Sequence, residues 1–207
     1  MLRKHIILLG IIISIILLVV AMAYYPGGSQ FDKNSIGFDW TKNYLSNLFT
    51  PQAVNGQDNP NRLWAIGGMF FLCTSFALFF YRCSKKMPER NAVLVVKYVG
   101  IGAVLFGFLA VTPLHDLAVA VGGTGELLSI FYITVFTFKS KQHFMKMLSV
   151  LCLLFIYCCT FIYYTRIYLE FLPVMQKVTL FTTIVWVLCL EYFTTAADFQ
   201  YKRRELQ

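Results

Sequence analysis

Long apolar runs separated by short charged stretches make up most of the chain. A helix crossing a hydrocarbon core of about 30 Å needs about 20 mostly apolar residues. Six runs meet that length: Ile6 to Tyr25, Leu63 to Tyr81, Ala92 to Thr112, Leu117 to Phe138, Met147 to Tyr164 and Val174 to Thr195. The pattern predicts an all-α integral membrane bundle of six transmembrane helices, forming one domain over residues 1–207. Short connections between most runs predict antiparallel neighbours. The exception is the first connection, residues 26–62, whose length marks it as a functional or mobile segment.

Within that connection the segment from Asp39 to Phe49 carries helical spacing. At about 100° per residue, Trp40, Tyr44, Leu45, Leu48 and Phe49 share one apolar arc, with Lys42, Asn43, Ser46 and Asn47 opposite. Asp39 is placed as an N-cap and Pro51 as a stop. The spacing therefore predicts a short amphipathic helix lying on the membrane surface or roofing the bundle. Asp39, Asn43, Ser46 and Asn47 are then either a solvated face or one wall of a polar pocket.

Composition supports the membrane reading. Of 207 residues 58% are hydrophobic and 14% charged, against roughly 25% charged in soluble domains, and the mean hydropathy is +0.65. A disordered chain, a collagen and a disulfide-stapled secreted scaffold are excluded. The formal net charge of +8 arises from short basic clusters at the ends of apolar runs. Clusters so placed meet anionic head groups, so membrane lipids are expected partners and nucleic acid is not.

The same clusters orient the chain. Thirteen Lys and Arg, including Arg3, Lys4, Arg82, Lys139 and Lys202, Arg203, Arg204, fall on one side, and five (Lys33, Lys42, Arg62, Arg166, Lys177) fall on the other. The bias predicts a cell-membrane protein with both termini cytoplasmic and the 26–62 connection outside. A basic start, an apolar stretch and Ala21, Met22, Ala23 also imitate a cleavable signal peptide, but the full spanning length of the run favours a retained helix. Cys73, Cys83, Cys152, Cys158, Cys159 and Cys189 lie in or beside the runs without metal-pair spacing, and Cys158 and Cys159 are read as small packing residues.

Candidate chemistry gathers on the outer side. Pro113 ends the third run, and His115 with Asp116 precedes the fourth. If the fourth helix begins near Pro113, then His115, Val119, Gly122 and Glu126 recur at i, i+4, i+7 and i+11 on one narrow face, with Ser129 close by. Glu126 then lies about 9 residues, or about 13 Å, inside the span. A carboxylate there costs on the order of a few kcal/mol in lipid, so it should face the bundle interior and share an outer cavity with His115. The candidate catalytic residues are His115 as proton-transfer group, Asp116 orienting it, and Glu126 or Asp39 as a further acid.

Competing structural readings stand beside these. His115 and Asp116 would also cap the fourth helix, and Glu126 would also bond a neighbouring helix. Gly122, Gly123 and Gly125 would serve close helix packing, like Gly67, Gly68, Gly100 and Gly102. Glu191 and Lys97, near the inner ends of their runs, are candidates for a structural pair, while His5 and His143 are interfacial. No cofactor or metal site is expected. A hard cation on Asp39, Asp116 and Glu126 would lack any ligand loop.

The six runs, the stretch from Asn43 to Leu48 in the first outer loop, and the Pro113 turn with His115 and Asp116 together resemble bacterial membrane proteins of the domain-of-unknown-function 998 family. The likeness covers most of the chain. The resemblance implies a six-helix bundle with an outer polar cluster and no established activity. Where that family carries Ser-Asp-Leu-Gly, this chain has Ser46, Asn47, Leu48 and Phe49, so no acid is implied at position 47. Three functions fit the residues: a protein binding a lipid head group or partner protein in an outer polar pocket, a membrane-embedded enzyme on a lipid or lipid-linked substrate, and a small proton- or cation-coupled transporter.

Overall fold

A computed structural model describes residues 2–200, so Lys202, Arg203 and Arg204 lie outside the described residues. The fold is all-α, 74% helical. The helices are α1 (Leu2–Ala23), α2 (Arg62–Ser84), α3 (Arg90–Val111), α4 (His115–Phe138), α5 (His143–Thr165), α6 (Leu169–Phe193) and the short α7 (Ala196–Phe199). All except α7 are long and apolar enough to cross a membrane. The chain is a multi-pass membrane protein.

Several helices run past the apolar stretch that announces them. α2 continues to Ser84, and α5 starts at His143 instead of Met147, because basic residues keep helical backbone while their long stems carry the charge toward head groups. α3 is interrupted by a π turn at Val95–Val99 and tightens to a 3₁₀ turn at Leu109–Val111, just before Pro113. α5 turns into α6 through Arg166 and Tyr168, both left-handed at φ 61° and 59°. Pro173 lies in the first turn of the α-helical part of α6, where its missing N–H leaves no bond unmade.

Sequential helices pack side by side, and α6 returns to α2. Helices α2 to α6 thus form a ring, with α1 docked on the flank of α2. Close approach of α1 to α2 depends on small residues: a side chain at Gly10 would strike Ser75, and one at Gly68 would strike Leu18. The lipid side of α1 exposes Ile6, Leu9, Ile12, Ile13, Ile16 and Val19.

The two ends of the bundle are filled differently. Toward the end carrying the 85–89 and 139–142 turns, the ring is packed solid by Phe79, Phe80, Val96, Ile130, Ile133, Trp186 and Leu190, all fully buried or nearly so. Trp186 Nε1 donates to Ser149 Oγ at 2.8 Å, which satisfies its only polar atom. This end is also basic. Arg82 pairs with Glu191 at 2.6 Å, and Lys86 Nζ donates to the α6 carbonyls of Leu190 and Glu191, where the helix dipole is negative. Burial holds the Lys86 ammonium below its usual pKa. The expected pairing of Glu191 with Lys97 is therefore corrected. α2, not α3, packs against α6, and Lys97 instead lies over the Tyr98 ring.

Candidate functional site

The opposite end carries the 24–61 connection, which is folded as a cap. Its backbone is held by buried asparagines and one tyrosine. Asn43 Nδ2 donates to Gly28 O at 2.6 Å, Asn59 Nδ2 to Leu48 O and Thr50 O, and Tyr25 Oη accepts from Val54 N at 3.0 Å. Leu48, Phe49 and Ala53 seat the cap on Leu18, Met22 and Ala65 of α1 and α2. Lys177 of α6 reaches up to donate to Asn43 O at 2.6 Å and ties the cap to the far side of the ring.

The predicted helix from Asp39 to Phe49 is not continuous. Asp39 does cap a first turn, its Oδ1 accepting from Thr41 N, Thr41 Oγ1 and Lys42 N. These bonds hold its carboxyl below the ordinary range. Tyr44 then takes an extended conformation, and only Leu45–Phe49 resumes, as a 3₁₀ turn. The cause is competition from side chains. Asn43 Oδ1 accepts from Asp39 N at 2.9 Å and Asn47 Oδ1 from Tyr44 N at 2.8 Å, which substitutes local bonds for a helical ladder. Asn43 and Asn47 are correspondingly buried. They form neither a solvated face nor, in the case of Asn43, a pocket wall. Trp40 leaves the apolar arc and is 56% exposed.

Beneath the cap the ring is hollow. A cavity of about 310 Å³ is lined by Leu45, Ser46 and Phe49 from the cap, His115, Val119 and Glu126 from α4, and Gln176, Thr179 and Thr183 from α6. An adjoining space of about 270 Å³ shares Glu126 and Val119 and extends between α2, α3 and α4 past Ala103 and Gly107. A mouth of about 650 Å³ at the cap edge is lined by Ser46, Asn47, Arg62, Thr112 and His115. His115 stands where mouth and cavity meet. His115 and Glu126 are eleven residues apart on one helix, about 16 Å along its axis, so they occupy opposite ends of the same space.

Each polar group has a distinct setting. His115 Nδ1 lies 3.3 Å from Asp116 Oδ1, which also accepts from Tyr163 Oη at 2.8 Å. Asp116 itself is 90% exposed. It does not cap α4; the helix opens on Leu114, whose N–H donates to Thr112 Oγ1. Glu126 makes no hydrogen bond or ion pair with the described residues and faces the cavity. Ser129, expected near that face, donates to Gly125 O within its own helix. Gln176 lines the cavity wall with Oε1 buried and unpartnered. The signal for Gln176 was a polar residue beside Lys177 at the start of an apolar run, and Tyr163 offered none.

The small residues of α4 divide by direction. A Cβ on Gly122 would come within 3.0 Å of Ala103 O and Gly107 N, and one on Gly125 within 3.0 Å of Ala103, so both serve contact with α3. A Cβ on Gly123 would meet nothing within 4 Å, and Gly123 lines the cavity space beside Gly122. Among the described residues no group of three His, Cys, Asp or Glu is placed to hold a metal, and Asp39 lines none of these cavities. A shared cation on Asp39, Asp116 and Glu126 has no geometric basis. The six cysteines are free. Comparison with protein-family models, with curated proteins and with solved structures finds no match for this chain.

Proposed function

We propose that this is a cell-membrane protein, termini in the cytoplasm, that binds a membrane lipid under its outer cap. The apolar part enters the hollow of the ring and the head group stays at the mouth beside Ser46, Arg62 and His115. One observation carries the reading: adjoining spaces that share His115 and Ser46, gather Arg62, Asn47 and Thr112 at the mouth, are apolar along most of the wall, and are closed beyond Glu126 by the packed half of the bundle. Such a shape accepts an amphiphile from one side. Glu126 and Gln176, without protein partners, are available to a hydroxyl or amide of the bound molecule, which would offset the cost of holding them in an apolar wall. The outer polar cluster is also what the resemblance to the domain-of-unknown-function 998 proteins implies.

A second reading rests on His115, Asp116 and Tyr163. A carboxylate fixed by a tyrosine and set beside an imidazole is a proton-transfer arrangement, and of its three members His115 lines the mouth where a head group would lie. Glu126, about 16 Å away along the helix, is too distant to act on the same bond. A transporter reading gains less support, because Phe79, Phe80 and Trp186 fill the ring below Glu126.

Lipid extracted from the purified protein and identified by mass spectrometry tests both readings. Val119→Phe, which fills the cavity, should reduce a stoichiometric co-purifying lipid at least fivefold. Unchanged lipid content would overturn the binding reading. If His115 is catalytic, the lipid recovered from His115→Ala should differ in mass from that of the wild type; simple binding yields the same molecule in smaller amount.

A further inference from the structure

On the lipid-facing side of the ring, well away from the capped cavity, α4 and α5 part to form a groove of about 680 Å³. Its walls are Phe131, Val135 and Phe138 from α4 and Val150, Leu154 and Tyr157 from α5, each more than a third exposed. Thr134, in the wall between them, spends its hydroxyl on Ile130 O. The groove is therefore lined mainly by apolar side chains, with the Tyr157 phenol toward one end and Lys139 at the basic end.

There Lys139 closes the α4 wall. Helical register puts a second lysine opposite, since positions 146, 150, 153, 154 and 157 fall at i, i+4, i+7, i+8 and i+11 on one face of α5. The carboxylate near Lys139 is Glu89, at 3.9 Å with both side chains largely in solvent, a geometry that contributes little. Lys146 has no carboxylate partner among the described residues. Two cations at head-group depth, one on each wall of an acyl-sized trough, complement a negative charge carried at the end of two hydrocarbon chains.

We propose that this groove binds one anionic phospholipid from the leaflet at the basic end, with its acyl chains along α4 and α5 and its phosphate between Lys139 and Lys146. The site is independent of the capped cavity and of how that cavity is used. Attraction of an anionic head group to two nearby lysines predicts about a tenfold preference over a zwitterionic lipid.

The test uses the full chain in nanodiscs of equal phosphatidylglycerol and phosphatidylcholine, so both leaflets are alike and membrane orientation does not matter. Lipids retained per protein after mild detergent extraction are counted by native mass spectrometry. One phosphatidylglycerol should be retained with about tenfold preference, and Lys139→Gln with Lys146→Gln should bring the ratio near unity. Leu154→Trp, which fills the groove and leaves both lysines, should remove the retained lipid. Lys85→Gln with Lys97→Gln removes equal charge elsewhere at the same end and should leave the preference intact. An unchanged ratio in the Lys139 and Lys146 double variant, or an equal loss in the Lys85 and Lys97 control, overturns the proposal.

Discussion

Asn43 is the residue on which the cap turns. It is fully buried, its side chain accepts from Asp39 N and donates to Gly28 O, and its own carbonyl receives Lys177. Removing the carboxamide leaves buried backbone groups unpaired, at about 1–3 kcal/mol. Asn43→Ala should thus raise the rate of protease cleavage in the 24–61 connection severalfold in proteoliposomes, while Lys42→Ala, on the exposed side, should not. Asp39 adds a pH dependence of known sign. Its folded pKa lies below the ordinary 3.8 because Thr41 and Lys42 donate to the carboxylate, so its contribution is complete above that value and is lost as pH falls through the lower folded value. Cap protection measured from pH 6 down to pH 2 should decline in the acid part of that range, and Asp39→Asn should flatten the decline. Spacing alone showed the residues of this segment but not their direction, because helical periodicity cannot anticipate side chains that bond their own backbone.

At the scale of elements, the glycines of α4 show how one helix serves both packing and cavity. A Cβ on Gly122 would meet α3 backbone at 3.0 Å, whereas one on Gly123 would meet nothing within 4 Å. Gly122→Val should force α3 away and destabilise by about 1–3 kcal/mol, visible as a lowered unfolding temperature in detergent. Gly123→Ala should leave that temperature unchanged or raise it slightly, because alanine favours helix and has room. Equal losses in both would mean that this face of α4 is packed throughout and the space beside it does not exist. The i, i+4, i+7 and i+11 register from His115 to Glu126 was readable in the chain, since α4 does start at His115. The pairing of Arg82 with Glu191 was not, because it depends on α6 returning to α2.

For the whole molecule, the cap and the basic end lie at opposite ends of the ring, and the positive-inside bias assigns them to opposite sides of the membrane. In a cysteine-free background, Gln57→Cys should react with a membrane-impermeant maleimide on intact cells, whereas Lys85→Cys should react only after permeabilisation. The reverse pattern would invert the topology and put the mouth of the capped cavity in the cytoplasm.

Six spans, their antiparallel order and the inward direction of Glu126 were determined by sequence alone. Each follows from a local rule: apolar length against bilayer thickness, short connections, and the cost of charge in hydrocarbon. What only the tertiary structure decided is which helices meet and what lies between them. The ring closure of α6 on α2 fills one half with Phe79, Phe80 and Trp186, while Gly123, Val119 and the small side chains of α6 leave the other half hollow. Packing density is a property of several helices at once. No single stretch of chain encodes it, and the same holds for the folded cap, whose asparagines bond backbone as far as 37 positions away, from Asn61 to Tyr24.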